Sequence, residues 1–228
     1  MADKKYVYFF GDGKAEGRGD VTDLLGGKGA NLADMTSIGL PVPPGFTITT
    51  EACDFFDKHQ GSYPNGMRDE VIENLIRLEN LMGAKLGDKK NPLLVSVRSG
   101  AAQSMPGMMD TVLNLGLNPD SLNALIEKTG NERFAWDSYR RFIQMFGDVV
   151  MGVPHAKFED ALQSVKDENG KTFDTELDVD NLKEVIKRYK IIYKKHTGED
   201  FPEDPRYQLF KAIDAVFNRW NNERAIKY

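Results

Sequence analysis

The sequence predicts an α+β fold that carries a helical subdomain, and three observations predict it. Strand patterns and helix patterns alternate through the first half of the chain. From Asp120 onward strand patterns are nearly absent and amphipathic helices take over. The chain has 228 residues, 40% apolar and 10% aromatic, enough to bury a core in one large domain or two small ones. The expected division is a mixed subdomain at residues 1–118, rejoined by 204–228, and a helical subdomain at 119–203.

Residues 6–10 are aromatic and β-branched and run into Gly11, Asp12 and Gly13, so a strand and a turn are expected. Leu32, Met35 and Ile38 share one face of a helix predicted over 30–38, with Gly39 as its stop. Pro41, Pro43 and Pro44 force extended backbone into a strand over 46–49. Thr50 is the expected cap of a helix that starts at Glu51 and carries Phe55. Met67, Val71, Leu75, Leu78 and Met82 recur at helical spacing and form a core-facing stripe, ended by Gly83 or Gly87. The apolar run at 93–97 reads as a buried strand, and residues 111–115 read as another. Helices are then expected over 122–126, 134–150, 158–165, 182–193 and 209–220. Phe134, Phe142, Phe146 and Val149 fall on one face of the second of these. Pro119 and the segment 198–205 are the expected boundaries.

The formal net charge of -5 argues against a general affinity for nucleic acid, whose phosphate backbone rewards basic surfaces. A single small phosphate ligand needs only a few local cations. Cys53 is the one cysteine, so a disulfide framework is excluded and a reducing compartment is expected. Residues 1–10 lack a signal-peptide pattern, and no apolar run is long enough to cross a bilayer. The expectation is a soluble cytoplasmic protein without nucleic-acid or membrane partners.

Two stretches point to anion chemistry. In GGKGAN, residues 26–31, paired glycines allow a tight turn into a helix start, and Lys28 adds a full charge. The standard phosphate-loop spacing is absent, since Thr22 occupies the first glycine position and Gly29 follows the lysine. A glycine-rich helix start with a solvated lysine is the competing reading. In VSVRSGAAQSMPGMMDT, residues 95–111, Arg98 ends an apolar strand, where α/β proteins place ligands and where a planar fork suits phosphate oxygens. Small residues follow, including Ser104 and Gly107, which permit close backbone approach. Met105, Met108 and Met109 are suited to cover an apolar ring, and Asp110 and Thr111 to reach a hydroxyl or metal. The competing reading is a paired surface arginine followed by a methionine-filled turn. A third stretch, residues 131–152, places Arg140 and Arg141 about a quarter-turn apart on a helix, so at most one faces a ligand. His59, His155 and His196 have no metal-ligand spacing, and neither a nucleophile elbow nor an evident base is present.

These blocks, with RFAWDSYRRFIQMFGDVVMGV, resemble the N-terminal nucleotide-binding region of pyruvate, phosphate dikinase, and occur in that family's order. The variant SMPGMMDT separates the chain from the related phosphoenolpyruvate synthases. The resemblance implies a partial ATP-grasp-like nucleotide-binding domain. It implies an enzyme that interconverts ATP, pyruvate and phosphate with AMP, phosphoenolpyruvate and diphosphate, using magnesium and a phosphohistidine on a separate domain. Lys28 and Arg98 are then expected on the nucleotide phosphates, Ser104 to Thr111 as a loop over them, and Arg141 as a further contact. Catalytic residues and Mg2+ ligands are expected in the remaining domains of the parent enzyme, so the isolated fragment is expected to be inactive. A stand-alone, non-catalytic nucleotide-binding or regulatory module of the same fold is the alternative.

Overall fold

The structure, a computed structural model, describes residues 4–99 and 111–219. Among these, contacts gather residues 4–83, 98–99 and 216–219 into one compact unit, and residues 84–97 and 111–215 into a second.

The first unit is built on a three-stranded antiparallel sheet in the order β2-β1-β3, with β1 at Val7–Gly11, β2 at Lys14–Ala15 and β3 at Gly45–Ile48. Asp12 and Gly13 join β1 to β2 with φ of 51° and 69°, the positive values that a two-residue hairpin loop requires. Strand β2 is too short to leave a pattern in the sequence, and only the turn was foreseeable. Three helices complete the unit: α1 (Thr22–Ser37), α2 (Thr50–Lys58) and α3 (Met67–Met82). Helices α1 and α3 lie against the sheet. Met67, Val71, Leu75 and Leu78 are buried on α3 as their spacing predicts, but Met82, the last member of the stripe, is half exposed at the helix end. Glu70 ties α3 to the start of β1 by accepting hydrogen bonds from the Tyr6 and Val7 amides, each 2.8 Å long.

The expected cap of α2 moves by one residue. Thr49, not Thr50, caps it, with backbone in the extended region and the side chain accepting from the Ala52 amide. Cys53 is buried on α2, and its thiol donates to the Phe217 carbonyl at 3.8 Å. Burial, with Asp54 and Asp57 nearby, pushes that thiol up to about 12. It is a packed side chain and no nucleophile.

The second unit opens with two strand pairs. Strand β4 (Lys85–Leu86) runs parallel to β5 (Pro92–Leu93), and β6 (Val95–Val97) runs antiparallel to β7 (Val112–Leu115). The run at 93–97 is therefore not one buried strand. It changes partner at Leu94, the register slips between Val95 and Val97, and of its apolar residues only Leu93 is buried.

Five helices follow: α4 (Pro119–Thr129), α5 (Glu132–Met145), α6 (His155–Glu168), α7 (Val179–Thr197) and α8 (Pro205–Arg219), the last of which runs on into residues of the first unit. Pro119 is the first residue of α4. Its missing N–H is harmless at a first position, and Asn118 and Ser121 cap each other's amides before it. The long helix predicted over 134–150 is α5 followed by a π-helical turn at Phe146–Val150. Within that turn Gly147 admits the Phe158 ring, which a Cβ there would meet at 2.5 Å. Phe134 is 49% exposed, against expectation, because it lies in the first turn of α5 and Ala135 takes the buried place beside it.

The aromatic core of this unit centres on Phe201, which meets Tyr139, Phe142, Phe146 and Tyr193 edge-on at 5.2–6.4 Å. One buried amide, Gln208, then fixes the α7–α8 connection. It accepts from the Gly116 amide and donates to the Leu117 and Pro202 carbonyls.

Candidate functional site

Helix α1 contains a break. Gly26 has φ 68° and ψ 163°, a conformation essentially reserved for glycine, which separates a turn at residues 22–25 from the helix that continues to Ser37. Thr50 finds its use here. Its hydroxyl donates to the Asp23 carbonyl at 2.5 Å and lies 3.3 Å from that of Leu24, the acceptors just before the break.

The glycines of GGKG therefore have different tasks. Gly26 makes the turn. Gly29 is buried against β3, where a Cβ would meet the Thr47 Cγ2 at 2.5 Å and its Oγ1 at 2.9 Å. Between them Lys28 is exposed in the first turn after the break. The amides of a first helical turn lack intrahelical acceptors and carry a partial positive charge, so the lysine adds to a field already favourable to anions.

The glycine-rich segment before α1 needs no ligand to account for it. The Gly19 amide donates to Asp34 at 2.7 Å. A Cβ at Gly17 would collide with Leu25, and one at Gly19 with the Asp34 carboxylate.

Arg98 follows β6, is exposed, and groups with the first unit, as Lys28 does. Among the described residues neither cation enters an ion pair. Thr111 is half-buried at the approach to β7 in the second unit. Ser104, Met105, Gly107, Met108, Met109 and Asp110 lie outside the described residues.

The two adjacent arginines of α5, also in the second unit, are separated by burial. The Arg140 side chain is 4% exposed, with a terminal nitrogen 2.8 Å from Asp137 Oδ1 and 3.5 Å from Asp174 Oδ2. Burial works against its charge, but Asp137 and Tyr189 together outweigh that and raise its pKa. Arg141 is 59% exposed and places Nε 2.9 Å from the other oxygen of Asp137. The sequence reading passed over Asp137. Its signal was the spacing: a carboxylate three and four residues before two consecutive arginines.

Two of the three histidines have local side-chain partners. His59 stacks on Phe55 at 3.7 Å, and His155 lies between Asp148 and Glu159. Among the described residues no three His, Cys, Asp or Glu side chains gather to hold a metal ion. Among them also, no helix is long and apolar enough to cross a membrane.

The chain matches the family described as pyruvate phosphate dikinase, AMP/ATP-binding domain, over residues 22–62 and 62–228. It is 56% identical over 225 residues to pyruvate, phosphate dikinase 1, chloroplastic, from Oryza sativa subsp. japonica, covering 99% of this chain and 24% of that protein. It is 55% identical over 224 residues to pyruvate, phosphate dikinase from Rhizobium meliloti (strain 1021), covering 98% of this chain and 25% of the relative. The chain thus spans about a quarter of the length of the curated relatives it matches.

Proposed function

The chain belongs to the pyruvate phosphate dikinase AMP/ATP-binding domain family, and on that premise we propose that it binds ATP by its phosphates as part of a larger dikinase. The reaction proposed for the whole enzyme converts ATP, pyruvate and phosphate into AMP, phosphoenolpyruvate and diphosphate. A cytoplasmic location goes with it, on the lone Cys53, although relatives named above are chloroplastic and bacterial.

One observation carries the reading. The backbone break at Gly26 sets an exposed lysine, without an ion pair among the described residues, in the first turn of a helix. Lys28 there acts as a point charge, and the first-turn amides supply directed donors. Arg98 contributes a planar fork that engages two phosphate oxygens at once. The loop after Arg98 and the exposed Arg141 are assigned further contacts. The magnesium ion proposed for the parent enzyme takes its ligands from outside this chain.

The test is titration calorimetry of ATP against the wild-type chain, Lys28→Ala and Arg98→Ala. A charge-assisted contact contributes roughly 1.5–3 kcal/mol, so each variant should bind about tenfold to a hundredfold more weakly. Arg98→Lys should recover part of the loss. Wild-type affinity in both alanine variants contradicts the assignment.

A further inference from the structure

Arg141 raises a physical problem for any role on a phosphate. An exposed arginine on a flexible stem loses conformational entropy when it is fixed, and a carboxylate beside it repels the anion it should attract. Asp137 is that carboxylate, 2.9 Å from Arg141 Nε. The surroundings resolve the conflict.

The carboxylate is shared. One oxygen takes Arg141 Nε and the other takes Arg140, so a single acid bridges an exposed and a buried guanidinium. The closest approach of Asp137 is to Nε, the stem side of the guanidinium, and the opposite edge of that group is the one suited to grip a phosphate bidentately. Among the described residues no second ion pair engages Arg141.

Arg140 cannot compete for a ligand, since it is buried and held by Asp137, by Asp174 and by a 3.4 Å hydrogen bond to Gln144. Lys166 also reaches Asp174, at 3.0 Å. Three cations and two carboxylates leave one positive charge, and the only strongly exposed cation among them is Arg141.

We propose that Asp137 is a positioning residue for ATP binding, holding the Arg141 guanidinium by an ion pair at Nε while buried Arg140 cancels the carboxylate's own charge. The inference rests on the reading of Arg141 as a phosphate contact.

The experiment measures KM for ATP and kcat in the full-length dikinase with Arg141→Ala, Asp137→Asn, Asp137→Glu and the Asp137→Asn/Arg141→Ala pair. Asp137→Asn should raise KM for ATP about 2- to 5-fold, the worth of one ion pair to an exposed arginine, with kcat little changed. Asp137→Glu should restore most of the affinity, and Asp137→Asn should add nothing once Arg141 is alanine.

If Arg141→Ala raises KM but Asp137→Asn does not, or if the two effects add, the positioning role is wrong and the phosphate contact stands. If Arg141→Ala leaves KM unchanged, the contact itself is wrong and the inference falls with it. Should Asp137→Asn fail to fold, nitrogen-15 relaxation in the wild-type 228-residue chain decides. The Arg141 Nε–H should be more ordered than that of Arg206, which is exposed and outside any ion pair among the described residues. Equal mobility overturns the proposal.

Discussion

Lys28 and Arg140 are both cations on helices, and they end in opposite circumstances. Lys28, in the sheet-bearing unit, stands exposed just after a glycine break and pairs with nothing among the described residues. Arg140, in the helical unit, is buried and divided among Asp137, Gln144 and Asp174. A charge already committed to neighbours holds architecture together. A charge left over at a backbone built for anions is the one available to a ligand. Damage to the buried aromatic core of the helical unit should then appear mainly as lost stability, and damage around the Gly26 break mainly as lost ATP binding.

The largest expected effect tests the helical side. Phe201 sits among four aromatic rings and is 5% exposed. Phe201→Ala should cost about 3–5 kcal/mol, read as a lower urea midpoint with an unchanged slope. A loss well under 1 kcal/mol would mean that the connection between α7 and α8 is not pinned by this ring.

On the sheet side the two glycines should separate. Gly26→Ala places a Cβ on backbone with φ 68° and should cost on the order of 1–3 kcal/mol and weaken ATP binding. Gly29→Ala crowds Thr47 at a similar cost, roughly 1–3 kcal/mol. Thr47→Ala should relieve the second variant and leave the first untouched, measured by thermal unfolding of the four proteins. Relief of both would show that Gly26 is required for packing against Thr47 and not for its dihedral angles.

The smallest effect concerns a surface pair. Arg188 reaches both oxygens of Glu168, at 2.9 and 2.7 Å. These hydrogen bonds, with one from Ser164, lower the Glu168 pKa from its ordinary 4.5 to about 2. A depressed carboxylate contributes stability above its unfolded value and loses it on acidification, so this contribution should fade as pH falls from about 4.5 toward 2. Denaturation of wild type and Glu168→Gln should differ modestly near neutral pH and converge at the acid end of that window. A gap that widens on acidification would give the pair the wrong sign.

The chain's elements were legible wherever a periodicity ran long enough. The α3 stripe and the helices after Asp120 are visible because apolar residues recur over several turns. Strand β2, the split at Leu94 and the π turn were not, since two or three residues carry no period and partner exchange is a tertiary event. The threonine pair shows the same limit locally. Thr49 and Thr50 are equal candidates for a cap by composition, and only the Gly26 break, with carbonyls for a hydroxyl to meet, assigns them separate tasks.

At the site, residue type and position marked Lys28 and Arg98 and the family resemblance marked Arg141, but periodicity did not tell which of Arg140 and Arg141 is exposed. Asp137 was missed because a carboxylate before two arginines on a helix usually means a solvated face.

The central claim is that the helix start after Gly26 receives phosphate. Amide chemical shifts of Gly27, Lys28 and Gly29, followed while ATP and then adenosine are added to the labelled chain, test it most directly. ATP should move all three amides in a saturable way, and adenosine, which lacks phosphates, should leave them in place. Equal shifts with both ligands, or none with ATP, would contradict it.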